Sequence, residues 1–188
     1  MLKKSKGEYG YITKSKRIDI IKMLLYIVVA AAIFIGGLFL NKMSYRNIFT
    51  ILAILFVLPW ARVFVEFVVF FPYKTPNKED YEKIKEITAA EARLLSDVVI
   101  TSTEKSMGID FVVMGNGYVF GLTLNKKQNP EEIQKYLRDG VKNWSDSYQV
   151  KIHKNMKSFL QDVKNAREKE LNPKEREQVE SYIFSLMV

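Results

Sequence analysis

Two long apolar runs, Met23 to Leu40 and Ile48 to Phe71, stand on either side of a short polar connector, Asn41 to Asn47. A helix rising about 1.5 Å per residue needs roughly 20 residues to cross a hydrocarbon core of about 30 Å. The pattern therefore predicts a two-pass transmembrane helical hairpin over residues 18–72, with spans at about 20–40 and 47–69. Pro59 lies inside the second span and predicts a kink there.

After Pro72 the pattern turns from continuously apolar to mixed, and residues 73–188 read as one compact α/β (α+β) domain. Thr75 and Pro76 open a predicted helix in which Tyr81, Ile84, Ile87, Leu94 and Leu95 recur at helical spacing. Asp97 to Thr103 is rich in β-branched residues and reads as a strand ending in a polar turn from Glu104 to Gly108. Ile109 to Met114 reads as a second strand. Gly115, Asn116 and Gly117 then signal a hairpin into a third, Tyr118 to Leu124. Asn129, Pro130 and Glu132 mark a helix start, with Ile133, Tyr136, Leu137, Val141 and Trp144 on one face. Tyr148 to His153 alternates as a strand. Two C-terminal helices follow, one with Met156, Phe159, Leu160 and Val163 on a face, the other opening at Asn172 and Pro173. The predicted domain is of αβββαβ type with two added helices.

Charge changes the picture in one respect. Ten Lys/Arg stand against three acidic residues up to Pro72, and nineteen against eighteen after it. The basic excess thus flanks the apolar runs instead of forming a patch on the folded domain, which argues against nucleic acid as a partner. Residues 1–17 form a basic N-terminal segment with Lys3, Lys4, Lys6, Lys14, Lys16 and Arg17. The positive-inside rule places it in the cytoplasm, and two spans return the chain to the same side. The expected location is the cell membrane with both termini cytoplasmic, and the lipid bilayer is the first implied partner. Zero cysteines exclude disulfides and thiolate metal sites.

Charged residues near the spans fall at similar depth. Asp19 and Lys22 on the first helix are level with Arg62 and Glu66 on the second, which predicts the interhelical pairs Arg62–Asp19 and Lys22–Glu66 alongside the i, i+4 pair Arg62–Glu66. Ala32 and Gly36 form a small-xxx-small pair that lets another helix approach closely, the second span being the expected partner.

In the domain, the stretch GIDFVVMGNGYVFGLTLNKK, from Gly108 to Lys127, carries an Asp early in one strand and a glycine turn into the next. In this it resembles the PD-(D/E)xK nuclease superfamily, and most of all its nuclease-related domain, where a G-x-I-D-type strand leads to a strand ending in E-x-K. The resemblance implies an αβββαβ core in which Asp and Glu hold Mg²⁺ while Lys serves the attacking water. Asp110 matches the aspartate, but Thr123 stands at the glutamate position and Asn125 at the lysine position. The metal cage is incomplete on this reading, and no cofactor is expected.

The leading expectation is a non-catalytic, membrane-anchored interaction module with a nuclease-like fold, binding a protein partner or a second copy of itself. An alternative is a membrane-tethered nuclease with displaced residues, in which Asp110, the sole metal candidate, is helped by Asp97, Glu91 or Lys126 and takes Mg²⁺. Another is a subunit of a small oligomeric channel or transporter, which requires Arg62 and Glu66 to face a wet interior. His153, the only histidine, reads as a surface or interfacial residue.

Overall fold

The computed structural model describes residues 5–102, 105–167 and 172–188. Lys3, Lys4, the last residue of the predicted first strand, Thr103, and the first of the predicted turn, Glu104, lie outside them. The chain divides into two compact units, one of residues 13–72 and one that joins the N-terminal residues through Ile12 to Tyr73–Val188. Residues 5–12 thus group with the C-terminal unit, whereas the sequence sets 1–17 apart as one segment.

The unit of residues 13–72 is helical. Its helices are α1 (Tyr11–Leu40, whose first two residues belong to the other unit), α2 (Ile48–Leu55) and α3 (Val57–Phe70). Two stretches are long and apolar enough to cross a membrane, the 30 residues of α1 and the 23 residues Ile48–Phe70. Only 6% and 11% of their most apolar windows are buried, so neither is the core helix of a compact domain. α2 and α3 are separated at Phe56. Pro59 has no N–H and its ring crowds the carbonyl four residues back, at Leu55, so the ladder breaks just upstream of the proline. Asn47 caps α2, its side chain accepting the Thr50 N–H at 3.0 Å. α1 meets this pair at Gly37, where an added Cβ would stand 2.3 Å from the Cβ of Phe49, and at Tyr26, whose ring centroid is 6.5 Å from that of Phe56.

The other unit is a mixed four-stranded sheet with helices on both faces. α4 (Lys78–Ile87) precedes β1 (Arg93–Thr101), β2 (Ser106–Gly115) and β3 (Tyr118–Leu122). α5 (Pro130–Lys142), β4 (Gln149–His153), α6 (Met156–Asn165) and α7 (Pro173–Leu186) follow. The strand order is β1-β2-β3-β4, with β2 antiparallel to β1 and β3, and β4 parallel to β3. Asn116 and Gly117 make the two-residue turn between β2 and β3, with Gly117 at φ +94°. Asn129, Asn155 and Asn172 cap α5, α6 and α7 through their side chains.

One face of the sheet packs Leu95, Val98, Ile109, Val112 and Met114 against Ile133, Leu137 and Val141 of α5 and Val179 and Ile183 of α7. The other packs Phe111, Val113, Phe120 and Leu122 against Ile84 of α4 and Phe159 and Val163 of α6. Helices on both faces explain why β3 is buried at every position instead of alternating.

Two boundaries differ from the sequence expectation. α4 starts at Lys78, after the predicted Thr75, and stops at Ile87. Thr88 ends it by turning both its N–H and its hydroxyl onto the Ile84 carbonyl, at 3.0 and 2.7 Å. Leu94 and Leu95, expected on that helix, lie instead in β1, which begins four residues before the predicted strand. Trp144 falls beyond the end of α5 and is 45% exposed.

Candidate functional site

The row of the sheet that holds the predicted site is irregular. Ser96 pairs with Phe111 and Val98 with Ile109, so Asp97 of β1 and Asp110 of β2 occupy facing positions between those pairs. Strict alternation would put Leu95 and Val98 on opposite faces, yet both lie in the same core, and so do Ile109 and Val112. The two strands therefore change faces together at the aspartates. In β1 the change coincides with Asp97 at φ +55°, a left-handed conformation that is uncommon for a residue with a Cβ.

The two carboxylates serve different parts of the chain. Asp110 Oδ2 accepts the Leu124 N–H at 2.6 Å, tying β2 to the segment that leaves β3. Burial raises its pKa, opposed by the bonds from Leu124 and from its own N–H. Asp97 is 1% exposed, and its Oδ2 accepts the Thr75 hydroxyl at 3.3 Å. The backbone N–H groups of Gly10, Tyr11 and Ile12 also favour its charge, though Oδ1 has no partner in hydrogen-bonding geometry. Burial outweighs these donors and pushes the Asp97 carboxyl up to about 6.

The remaining residues of the motif do not complete a metal cage. Thr123 is 1% exposed, donates its N–H to the His153 carbonyl at 2.9 Å, and leaves its hydroxyl buried without a partner. Asn125 is spent on a local turn, its side chain accepting the Lys127 N–H at 3.0 Å. Lys126 is exposed on that turn, and Glu91 is exposed ahead of β1. No group of three or more His, Asp or Glu able to hold a metal ion occurs among the described residues.

His153 has a partner the sequence does not announce. Its Nε2 lies 3.2 Å from Asp162 Oδ2, outside good hydrogen-bond alignment, and the same oxygen accepts Lys151 Nζ at 2.9 Å. Burial lowers the imidazole pKa, helped by the Lys151 charge and opposed by Asp162. Asp162 lies on α6, nine positions beyond β4, so only the fold brings the three together.

Near the apolar helices, Arg62 Nε lies 3.8 Å from Glu66 Oε1, and the Arg62 side chain is 84% exposed. Asp19 is buried, and neither Arg62–Asp19 nor Lys22–Glu66 occurs among the ion pairs of the described residues. Ala32 and Gly36 are exposed, and a Cβ at Gly36 would meet nothing within 4 Å. The close approach to the second apolar stretch is made one residue on, at Gly37. Comparison of the chain with family models, curated proteins and solved structures finds no match.

Proposed function

We propose that this chain is a membrane-anchored, non-catalytic interaction module. In this reading residues 18–72 cross the bilayer twice and both termini are cytoplasmic. The sheet domain keeps a nuclease-like αβββαβ order without the nuclease site, and its partner is a protein or a second copy of the chain. The anchoring rests on two exposed apolar helices of spanning length and on the basic residues before the first. The observation that carries the non-catalytic reading is the division of labour between Asp97 and Asp110. They face each other in register, yet one serves Thr75 and the start of α1 and the other serves Leu124. A hard dication wants several convergent oxygens, and these carboxylates are committed to separate backbone segments.

The test uses the full chain in lipid nanodiscs with single- and double-stranded DNA and RNA, in Mg²⁺ or Mn²⁺. No cleavage above that of the Asp110→Asn variant is expected. Metal-dependent cleavage that disappears with Asp110→Asn would overturn the reading in favour of a nuclease. The anchoring is read separately, by resistance to carbonate extraction and by reporters fused at each end.

A further inference from the structure

Every other aromatic side chain of the sheet unit is buried or half-buried, but Trp144 is 45% exposed. Its place beyond the end of α5 is fixed from two sides. Its own N–H donates to the Val141 carbonyl at 2.9 Å. The next residue, Ser145, donates its hydroxyl to Glu175 Oε2 at 2.7 Å, which ties this bend to the first turn of α7. Tyr182 of α7 stands beside it, the two ring centroids 6.5 Å apart and the planes at 39°. The hydroxyl end of Tyr182 is seated on Gly140 of α5, where a Cβ would have no room. Together the rings line a groove of about 360 Å³, open to solvent, with Glu177, Gln178 and Ser181 of α7 along its wall.

The chemistry of this lining selects a cation. Two aromatic rings and a carboxylate converge on the groove, and no basic side chain lines it. Glu177 makes no ion pair among the described residues. Its neighbour Arg176 is directed elsewhere, to Glu180 Oε1 at 3.1 Å and to the Glu91 carbonyl at 2.7 Å. The same helix already grips one arginine of the sheet unit in this way. The Arg93 guanidinium lies 4.7 Å from the Phe184 ring centroid, with its Nη1 3.4 Å from Glu180 Oε2. Trp144, Tyr182 and Glu177 bring together the same two kinds of group, ring and carboxylate, and indole is the ring that holds a cation best. A guanidinium suits the lining better than an ammonium, because it stacks flat on a ring while its five donors reach the Glu177 carboxylate and the oxygens of Gln178 and Ser181. The openness of the groove decides the source. A free small molecule normally has about 70–90% of its surface buried in its site, whereas a side chain carried by a protein is held in a shallow groove by the contacts around it.

We propose that the Trp144–Tyr182 groove is the docking site for an arginine side chain of a partner protein, the guanidinium resting against the indole and pairing with Glu177. This rests on the interaction-module reading and names the chemistry of the partner. The two fail separately, since a groove that ignores arginine leaves the cleavage and extraction results as they stand.

The chain has two tryptophans, so Trp60→Phe leaves Trp144 as the single indole. The full chain, labelled with 5-fluorotryptophan and held in detergent micelles, is titrated with acetyl-Gly-Arg-Gly-amide and followed by fluorine NMR. A saturable shift of the Trp144 signal is expected. The matching citrulline peptide, of the same shape without the charge, should bind about three- to tenfold more weakly. Glu177 is exposed and outside the core, so Glu177→Gln should fold normally, weaken the arginine peptide about two- to fivefold and leave the citrulline peptide unchanged. No saturable shift with arginine, citrulline that binds as well as arginine, or Glu177→Gln without effect overturns the proposal. Choline that binds more tightly than the arginine peptide would give the groove to a small quaternary ammonium ion. A shift that grows with the concentration of the chain alone would give it to a second copy, and either result also overturns the proposal.

Discussion

Adjacent glycines on α1 allow a controlled measurement. Gly36→Ala and Gly37→Ala each add one methyl group to the same turn of the same helix. The helix-propensity gain over glycine, about 0.5–1 kcal/mol, is common to both and cancels in their difference. The space around them is not common. A Cβ at Gly36 meets no atom within 4 Å, whereas at Gly37 it would stand 2.3 Å from Phe49 Cβ and 3.0 Å from Phe49 Cγ. Carbon atoms rest about 3.5–4.0 Å apart, and a Cβ is fixed to its backbone and cannot swing aside. The helices must therefore part locally by more than about 1 Å, and overpacking of this kind costs about 1–3 kcal/mol. Gly36→Ala should be neutral or slightly stabilising. Gly37→Ala should lie about 1–3 kcal/mol below it. Unfolding in mixed micelles of rising SDS fraction, followed by Trp60 fluorescence with Trp144 replaced by Phe, measures that difference. Equal midpoints, or a more harmful Gly36→Ala, would refute the packing argument. The second result would instead mean that another helix, such as one from a second copy, sits on Ala32 and Gly36.

Two further outcomes test the sheet unit. Phe111 is 0% exposed in the core with Ile84 and Phe159, so Phe111→Ala should cost about 3–5 kcal/mol in urea unfolding, whereas Leu124→Ala, 41% exposed, should cost less than about 1 kcal/mol. His153 is held below its ordinary pKa of 6.5 in the folded chain, so as the pH falls below 6.5 the unfolded chain takes up its proton first and stability drops. Asp162 opposes that shift, so Asp162→Ala should steepen the acid loss relative to the parent. A variant-to-parent difference that does not depend on pH would contradict the assignment of Asp162 as the partner.

The elements were legible wherever a local rule decided them. The apolar runs, the Asn116–Gly117 turn and the Asn caps before Pro130 and Pro173 each carry their own stereochemistry, and the chain follows it. The errors arise where a specific polar contact overrides the hydrophobic spacing. Thr75 and Pro76 form a plausible helix start, but Thr75 is drawn to Asp97 and the helix waits until Lys78. Leu94 and Leu95 fit the spacing of α4, but Thr88 closes that helix on Ile84 and frees them for β1.

The position of the two aspartates was legible in the sequence and the local conformation of Asp97 was not, for one physical reason. A strand read by alternation gives each residue a face two positions at a time, and Asp97 breaks the count by entering the left-handed region. Nothing in DVVITST marks that conformation, because it is imposed by what the carboxylate meets, namely the start of α1 some 85 positions earlier in the chain. The same kink carries Asp110 along in register and leaves it beside Leu124. A single acid early in a strand is what a nuclease would place there to hold a metal. Here the facing acid on the neighbouring strand accepts the Thr75 hydroxyl and stands by the N–H groups of Gly10, Tyr11 and Ile12 instead, so this row of the sheet joins separate segments of the chain.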